Sequence, residues 1–424
     1  MGSGDDLGAT MMRSLQDWAT LAKSDSVSWK AAVQEMIAAC REASRDSVMS
    51  ANLSGGEPVL VGPLAGVPYG LKDLFNIKGW PTHCSSVIPD LVNTPVGADC
   101  KLVQKLDQLG ASCVVKTQMN EFTYGLSGEN PHYGDCRHPF LKECLSGGSS
   151  SGSAHMVAAG YLPLAFGTDT GGSLRVPAAW CGLYAIRWVP GYFMDGGFPL
   201  APSFDTMGWF TRSAEDMARM IRCWFADAES TQPRSLKGGV YLSQDQVEPE
   251  CYVALTRAVE RLGLYPARGG GELRSLLPDC QRAFTILQSL EAYGIHEERL
   301  TKTPGLYDPA VKSRLERGKT WTAEDVSFAR EMAARIENWF ENFFATHDFI
   351  ALPSSPGPAI RSEESTPQLR DKTLRLTAPA SLARKPALAV PVRLDHHRTV
   401  GLQFIFKDVG AEVPSALLEL CKGI

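Results

Sequence analysis

The chain has 424 residues, of which 44% are hydrophobic, 21% charged and 9% aromatic, with 39 Gly and 27 Pro. These proportions belong to a folded globular protein and exclude disordered, collagen-like and coiled-coil classes. The formal charge is −5, from 42 basic and 47 acidic residues with no basic stripe, so nucleic acid is not an expected partner.

The 11 cysteines are scattered singly from Cys40 to Cys421, an odd number at irregular spacing that reads as free thiols in a reducing compartment. The start, Met1-Gly-Ser-Gly-Asp-Asp, lacks the cationic and apolar segments of a secretory leader. No apolar stretch approaches the ~18 residues of a membrane span. A cytoplasmic location, with no membrane partner, is the expectation.

In chain order, Leu15, Trp18, Leu21 and then Trp29, Val33, Met36 and Ile37 recur at helical spacing. A strand-like run follows at Val59–Val67, then a helix at Ala98–Leu109 and a short buried strand at Ser112–Lys116. Ser151–Gly160 reads as a small-residue helix leading into a strand at Leu162–Phe166. Ser213 can cap a helix over Ala214–Phe225, with Glu215 and Asp216 in its first turn. Further helices are predicted near Cys251–Leu262, Cys280–Tyr293 and Ala323–Phe344, and strands at Gly239–Leu242, Phe349–Leu352, Ala387–Val392 and Thr399–Phe406. Strand and helix alternate, which predicts an α/β layer architecture. The weakest joints, Gln232–Lys237 and Arg268–Gly271, are too short for linkers, so one large domain over 1–424 is expected.

The chemistry concentrates in residues 147–177. Two glycine/serine loops, Gly147-Gly148-Ser149-Ser150-Ser151-Gly152-Ser153 and Gly167-Thr168-Asp169-Thr170-Gly171-Gly172-Ser173-Leu174-Arg175, flank a short helix and a strand. Together they would gather backbone N–H groups and hydroxyls at one point. A phosphate-binding loop fails because Ser153 stands where lysine is required. A nucleophile elbow fails because Arg175 replaces its second glycine, and none of the eight His stands out as a base. A serine activated by lysine remains. The candidate is Lys72 in Gly66-Val67-Pro68-Tyr69-Gly70-Leu71-Lys72-Asp73, since burial pulls a lysine pKa from ~10.4 toward ~7–8. Taken alone, it reads as a surface lysine after a strand.

From about Pro63 to Met217 these segments resemble the amidase signature family. The Lys72 segment resembles its lysine motif, Gly147–Ala154 its glycine/serine signature, and Gly167–Ala178 its nucleophile loop. The spacing from Ser149 to Ser173 is that of the family's serine pair, and Glu129-Asn130-Pro131-His132-Tyr133-Gly134 is similar to its pre-signature segment. The resemblance implies a single large domain with a central mixed β-sheet covered by helices on both faces. An N-terminal helical segment (1–55), a signature core (63–217) and an α/β remainder (218–424) contributing to the substrate pocket are expected.

Residue by residue, the resemblance implies that Ser173 is the acyl-forming nucleophile. It implies that Ser149, after a cis peptide bond from Gly148, relays protons, and that Lys72 is the neutral base. The backbone N–H groups of Thr170, Gly171, Gly172 and Ser173 would form the oxyanion hole, where loss of one donor typically costs ~10²–10³ in rate. Ser153, Asp169 and Arg175 would support the loops. No metal and no organic cofactor is implied.

Three local features stand apart. Leu145-Ser146 precedes Gly147 where a serine–proline pair is common in the family, and Arg187 stands at its usual lysine, departures that bear on substrate preference more than on catalysis. His132, Cys136, His138 and Cys144 fit no zinc spacing, and Cys181 reads as packing. Ile336, Trp339, Phe340 and Phe343 read as core, and Glu291, Glu297 and Glu298 as surface charge.

The expected activity is hydrolysis of a small or aryl-substituted carboxamide to acid and ammonia, and Ser203–Phe210 is similar to short indole-acetamide hydrolases. The alternatives are the glutaminase subunit of a tRNA amidotransferase and a catalytically silent scaffold of the same fold. The expected partner is a small-molecule amide, and a homodimer is compatible with the chain.

Overall fold

In a computed structural model of the chain, residues 12–43, 47–51, 60–225, 235–266 and 270–424 are described. Ten strands among them form one mixed sheet in the order β1-β3-β2-β4-β6-β5-β9-β10-β8-β7. The strands are β1 (Val48–Ala51), β2 (Pro68–Lys72), β3 (Ser112–Thr117), β4 (Ala165–Thr168), β5 (Tyr184–Arg187), β6 (Met207–Thr211), β7 (Gly238–Val240), β8 (Phe349–Pro353), β9 (Ala387–Arg393) and β10 (Thr399–Phe406). Helices flank the sheet, as expected for this fold class. β2 runs parallel to both β3 and β4, so the carboxyl ends of three neighbouring strands lie at one edge of the layer. Crevices at such ends are the usual sites of α/β proteins. From β6 to β8 the pairing is antiparallel.

The expected helices and strands are present, some of them shifted in position. The strand expected at Val59–Val67 begins instead at Pro68: Val59 lies outside the described residues, and Leu64–Val67 form a turn closed by the Leu64 carbonyl and the Val67 amide. Gly66 has φ +76° there, and its carbonyl accepts the Trp29 indole N–H at 2.7 Å, which docks the N-terminal helices onto the entry to β2. The strand expected at 162–166 slides to Ala165–Thr168, because Leu162 ends the turn after helix Ser151–Ala158. The helix expected at 280–293 runs from Gly270 to Lys302 with Pro278 inside it. Parts of both weak joints, residues 232–234 and 268–269, lie outside the described residues.

Sequence periodicity missed the short strands β1, β5 and β6 and the helices Arg175–Cys181, Pro309–Glu316, Pro367–Leu382 and Glu412–Leu420. β5 and β6 are fully covered on both faces, apart from the partly exposed Tyr184, and so lack alternation. Their filling is aromatic, with Trp209 between Phe166, Trp188 and Trp224 at centroid distances of 6.0, 5.7 and 5.4 Å. The helix Ala323–Phe344 buries Ile336, Trp339, Phe340 and Phe343, as its pattern predicts. No helix among the described residues is long and apolar enough to cross a membrane.

β6 packs so closely on β5 that a Cβ at Gly208 would overlap the Ile186 carbonyl oxygen. Gly208→Ala should therefore lower stability by about 1–3 kcal/mol through forced strand separation, read as a fall in Tm.

Candidate functional site

β2 ends on Lys72 and its parallel neighbour β4 ends on Thr168, which brings both side chains to the same strand edge. The Lys72 ammonium nitrogen lies 2.8 Å from Thr168 Oγ1 and 2.8 Å from Ser149 Oγ. Lys72 and Ser149 are fully buried, and Ser173 is 3% exposed. Burial pulls the Lys72 pKa down to about 7, against the opposing pull of the Asp205 and Asp169 carboxylates. Lys72 therefore lies in the interior, as a base would, and not on the surface.

The Gly148–Ser149 peptide bond is cis, as the resemblance implies. The turn holding it is fixed on all sides. The Gly148 amide donates to the Leu126 carbonyl at 2.8 Å, and a Cβ on Gly148 would strike Asn120 Oδ1. The Ser150 amide donates to the Ser173 carbonyl at 3.3 Å, and its hydroxyl donates to the Thr168 carbonyl at 3.1 Å, so the two glycine/serine loops are stitched together. Ser153 Oγ donates to the Phe166 carbonyl at 3.0 Å and contacts Thr117 Oγ1 at 2.7 Å, which ties the helix below the first loop to β4 and β3.

The second loop turns around Asp169. Its buried carboxylate accepts the amides of Gly172 (2.8 Å) and Leu174 (3.2 Å), and the Arg175 guanidinium at 2.9 and 3.0 Å. Arg187 Nη1 lies 3.5 Å away. Burial alone would raise this carboxyl, but Arg175 and Arg187 hold it well below the usual carboxylate range. Arg175 continues outward to the Thr377 carbonyl and Gln403 Oε1, both at 2.8 Å. Thr377 Oγ1 donates back to the Gly171 carbonyl at 2.6 Å, and Thr170 Oγ1 donates to Asp205 Oδ1 at 2.6 Å.

The four amides expected as oxyanion donors differ in their hydrogen bonding. The Gly172 N–H is committed to Asp169, whereas the amides of Thr170, Gly171 and Ser173 make no hydrogen bond to another described residue.

Several contributors carried little signal in the sequence. Arg187, noted only as a departure, serves as the second guanidinium on Asp169, and burial lowers its pKa to about 9. Asp205 anchors the Thr170 hydroxyl and the amides of Leu200 and Ala201. Glu121, in a tight turn where Phe122 and Thr123 have positive φ, accepts the Ser86 hydroxyl and the Asp308 amide, both at 2.7 Å. Glu291, expected to be plain surface charge, accepts the Ser203 amide at 3.0 Å. Cys181 is buried, with its thiol donating to the Ser146 carbonyl at 3.2 Å. His138 is held by the Trp180 carbonyl and the Phe140 and Leu141 amides, while His132 faces Glu121. Among the described residues no three His, Cys, Asp or Glu side chains converge as metal ligands.

A cavity of about 340 Å³ lies beside Leu126 and the helix Arg175–Cys181. Its walls include Leu126, Val176, Trp180, Arg314, Ile360 and Arg370. Leu126 accepts the Gly148 amide, and Val176 lies in the first turn of the helix that follows Ser173.

The chain is similar to known proteins along most of its length. The family model described as Amidase matches residues 27–304 and 297–410. The chain is 32% identical over 400 residues to a glutamyl-tRNA(Gln) amidotransferase subunit from Geobacillus kaustophilus, covering 81% of this chain and 80% of that protein. It is 39% identical over 203 residues to the protein of the same name from Legionella pneumophila, a match spanning 47% of this chain and only 39% of the relative. A solved structure described as a crystal structure of an amidase superposes with a TM-score of 0.81 at 27% identity, covering 97% of this chain and 98% of the other.

Asp169→Asn would leave Arg175 and Arg187 buried without a counter-charge. It should cost about 3–5 kcal/mol of stability, measured by denaturant unfolding.

Proposed function

The chain belongs to the amidase family of carbon–nitrogen hydrolases, and we propose that it hydrolyses a small carboxamide to the carboxylic acid and ammonia through an acyl-enzyme on Ser173. The observation that supports this most directly is the buried Lys72 amine, 2.8 Å from Ser149 Oγ in a water-poor crevice between the two loops.

In this reading neutral Lys72 takes the proton of Ser149 while Ser149 takes that of Ser173, and the Ser173 oxygen attacks the amide carbon. The amides of Thr170, Gly171 and Ser173 are positioned to receive the oxyanion, being unengaged elsewhere. Ser149 then returns a proton to the departing nitrogen, ammonia leaves, and water repeats the sequence on the ester. One amine serves as base for attack and, once protonated, as the source of the leaving group's proton. The two carboxylates Asp205 and Asp169 keep the amine close to its tipping point rather than fully discharged.

The relatives named as subunits of a tRNA amidotransferase support a second reading, a glutaminase component that works within a complex. Ammonia release from a panel of amides distinguishes the two. Activity of the isolated chain supports the hydrolase, activity only with added partner proteins and tRNA supports the transferase, and none under either condition supports a silent scaffold.

Ser173→Ala and Lys72→Met should each reduce ammonia release at least about a thousandfold while the circular dichroism spectrum is retained. Full activity in either variant would remove the assignment. Because the amine works only when uncharged, kcat/KM of the wild type should fall as pH drops through about 7 and level off above it. The folded chain also binds fewer protons at Lys72 than the unfolded chain between about 7 and the ordinary lysine value. The contribution of Lys72 to stability should therefore grow with pH across that window.

A further inference from the structure

Two lysines are fully buried near the strand ends, Lys72 on β2 and Lys116 on β3, and they are partnered differently. Among the described residues the Lys72 amine is met by hydroxyls, those of Ser149 and Thr168. The Lys116 ammonium is met by a carboxylate, Asp73 Oδ1 at 2.8 Å, and also donates to the Pro81 carbonyl at 2.9 Å and Thr82 Oγ1 at 3.0 Å. All three of its N–H donors are therefore used, and its charge is balanced.

Asp73 directly follows Lys72 in the chain, yet its carboxylate serves the other lysine. Leu71 pairs with Lys116 across the parallel strands and Lys72 with Thr117. Side chains alternate between the faces of a sheet, so Lys116 lies on the face opposite Lys72, and Asp73 reaches it there. The Asp73 backbone is fixed as well, its amide donating to the Thr117 carbonyl at 3.1 Å and its carbonyl accepting the Cys84 amide at 3.0 Å. His83 is the other group on this carboxylate, with its amide at 3.1 Å and its ring Nδ1 at 3.2 Å from Oδ2. The thiols of Cys84, Cys100 and Cys113 and the Tyr133 hydroxyl lie within electrostatic reach of the pair, but burial raises the pKa of each and leaves all four neutral near pH 7. Desolvation discharges Lys72 itself, and the carboxylates that oppose it are Asp205 and Asp169.

We propose that Lys116 is a positioning residue for the Lys72 base: by occupying the Asp73 carboxylate, it prevents that carboxylate from acting as the counter-ion of a protonated Lys72. This role rests on the hydrolase reading above, in which Lys72 works uncharged. Without Lys116, a third buried carboxylate adds to the pull of Asp205 and Asp169, and Lys72 holds its proton to higher pH. Without the Asp73 charge, Lys116 becomes an unbalanced cation that disfavours a second positive charge, and Lys72 releases its proton at lower pH. A pair that merely props up the strand ends would weaken the enzyme in both cases with no such opposition of sign.

The test is the acid limb of kcat/KM, expected at about 7 in the wild type. Lys116→Met should move it up by about one pH unit and Asp73→Asn down by about as much, while the double variant returns it to the wild-type position. Limbs that stay in place in both single variants, or that shift in the same direction, would overturn the proposal. So would a double variant displaced as far as Lys116→Met. Should Lys116→Met not fold, Asp73→Asn, which keeps the size and shape of the side chain, decides by the direction of its shift: downward upholds the proposal, and none or upward removes it. If the wild type cleaves no amide, the hydrolase reading fails, and NMR of isotopically labelled lysine follows the amine directly, with its signal assigned by Lys72→Met. The same opposed shifts of its titration midpoint uphold the role of Lys116, and a midpoint fixed in both variants removes it.

Discussion

The Asp169 carboxylate is the point on which the arrangement of this chain turns. One buried anion receives the backbone of the loop that carries Ser173 and two guanidinium groups from different elements. Through Arg175 it reaches the Thr377 carbonyl on a late helix and Gln403 on β10, more than two hundred residues along the chain. A buried ion pair is seldom a net source of stability, but its geometry is strict, because either charge alone is costly in the interior. Here that strictness sets the loop. The Gly172 N–H is drawn toward the carboxylate, and the amides of Gly171 and Ser173 on either side have no acceptor among the described residues.

The same anion acts at a distance on Lys72. Desolvation pushes the amine toward neutrality, while Asp169 and Asp205 pull it back toward charge. The outcome near neutral pH is a balance between the depth of the strand ends and the two carboxylates behind them. β2 and β4 supply the depth by running parallel and stopping together at Lys72 and Thr168. The sheet thus sets the chemistry of the amine as well as its position.

The lysine and the two serine loops were legible in the sequence because glycine and serine are so concentrated there, and because Lys72 follows an apolar run. The long helix at Ala323–Phe344 and the strands β8 to β10 were legible from period alone. β1, β5 and β6 were not: each is only four or five residues long, and β5 and β6 are almost wholly covered on both faces, so neither length nor alternation marks them. The turn before Pro68 imitated a strand because Leu64 and Val67 are buried there, although their backbone closes a turn and does not extend β2. Arg187, Asp205 and Glu121 left little trace because their importance lies in partners remote along the chain. A charged residue within an ordinary apolar stretch gives no hint of which distant atom it will meet.

The cavity is lined by Leu126, Val176 and Trp180 from the first half of the chain and by Arg314, Ile360 and Arg370 from beyond residue 300. In the proposed reading, the reacting groups and part of the cavity beside them are therefore encoded far apart and meet only after folding. Substitutions in the helices that carry Arg314 and Arg370 can redraw the outline of an acceptable molecule without altering the loops. Such a layout lets a lineage diversify its diet while inheriting one unchanged reaction.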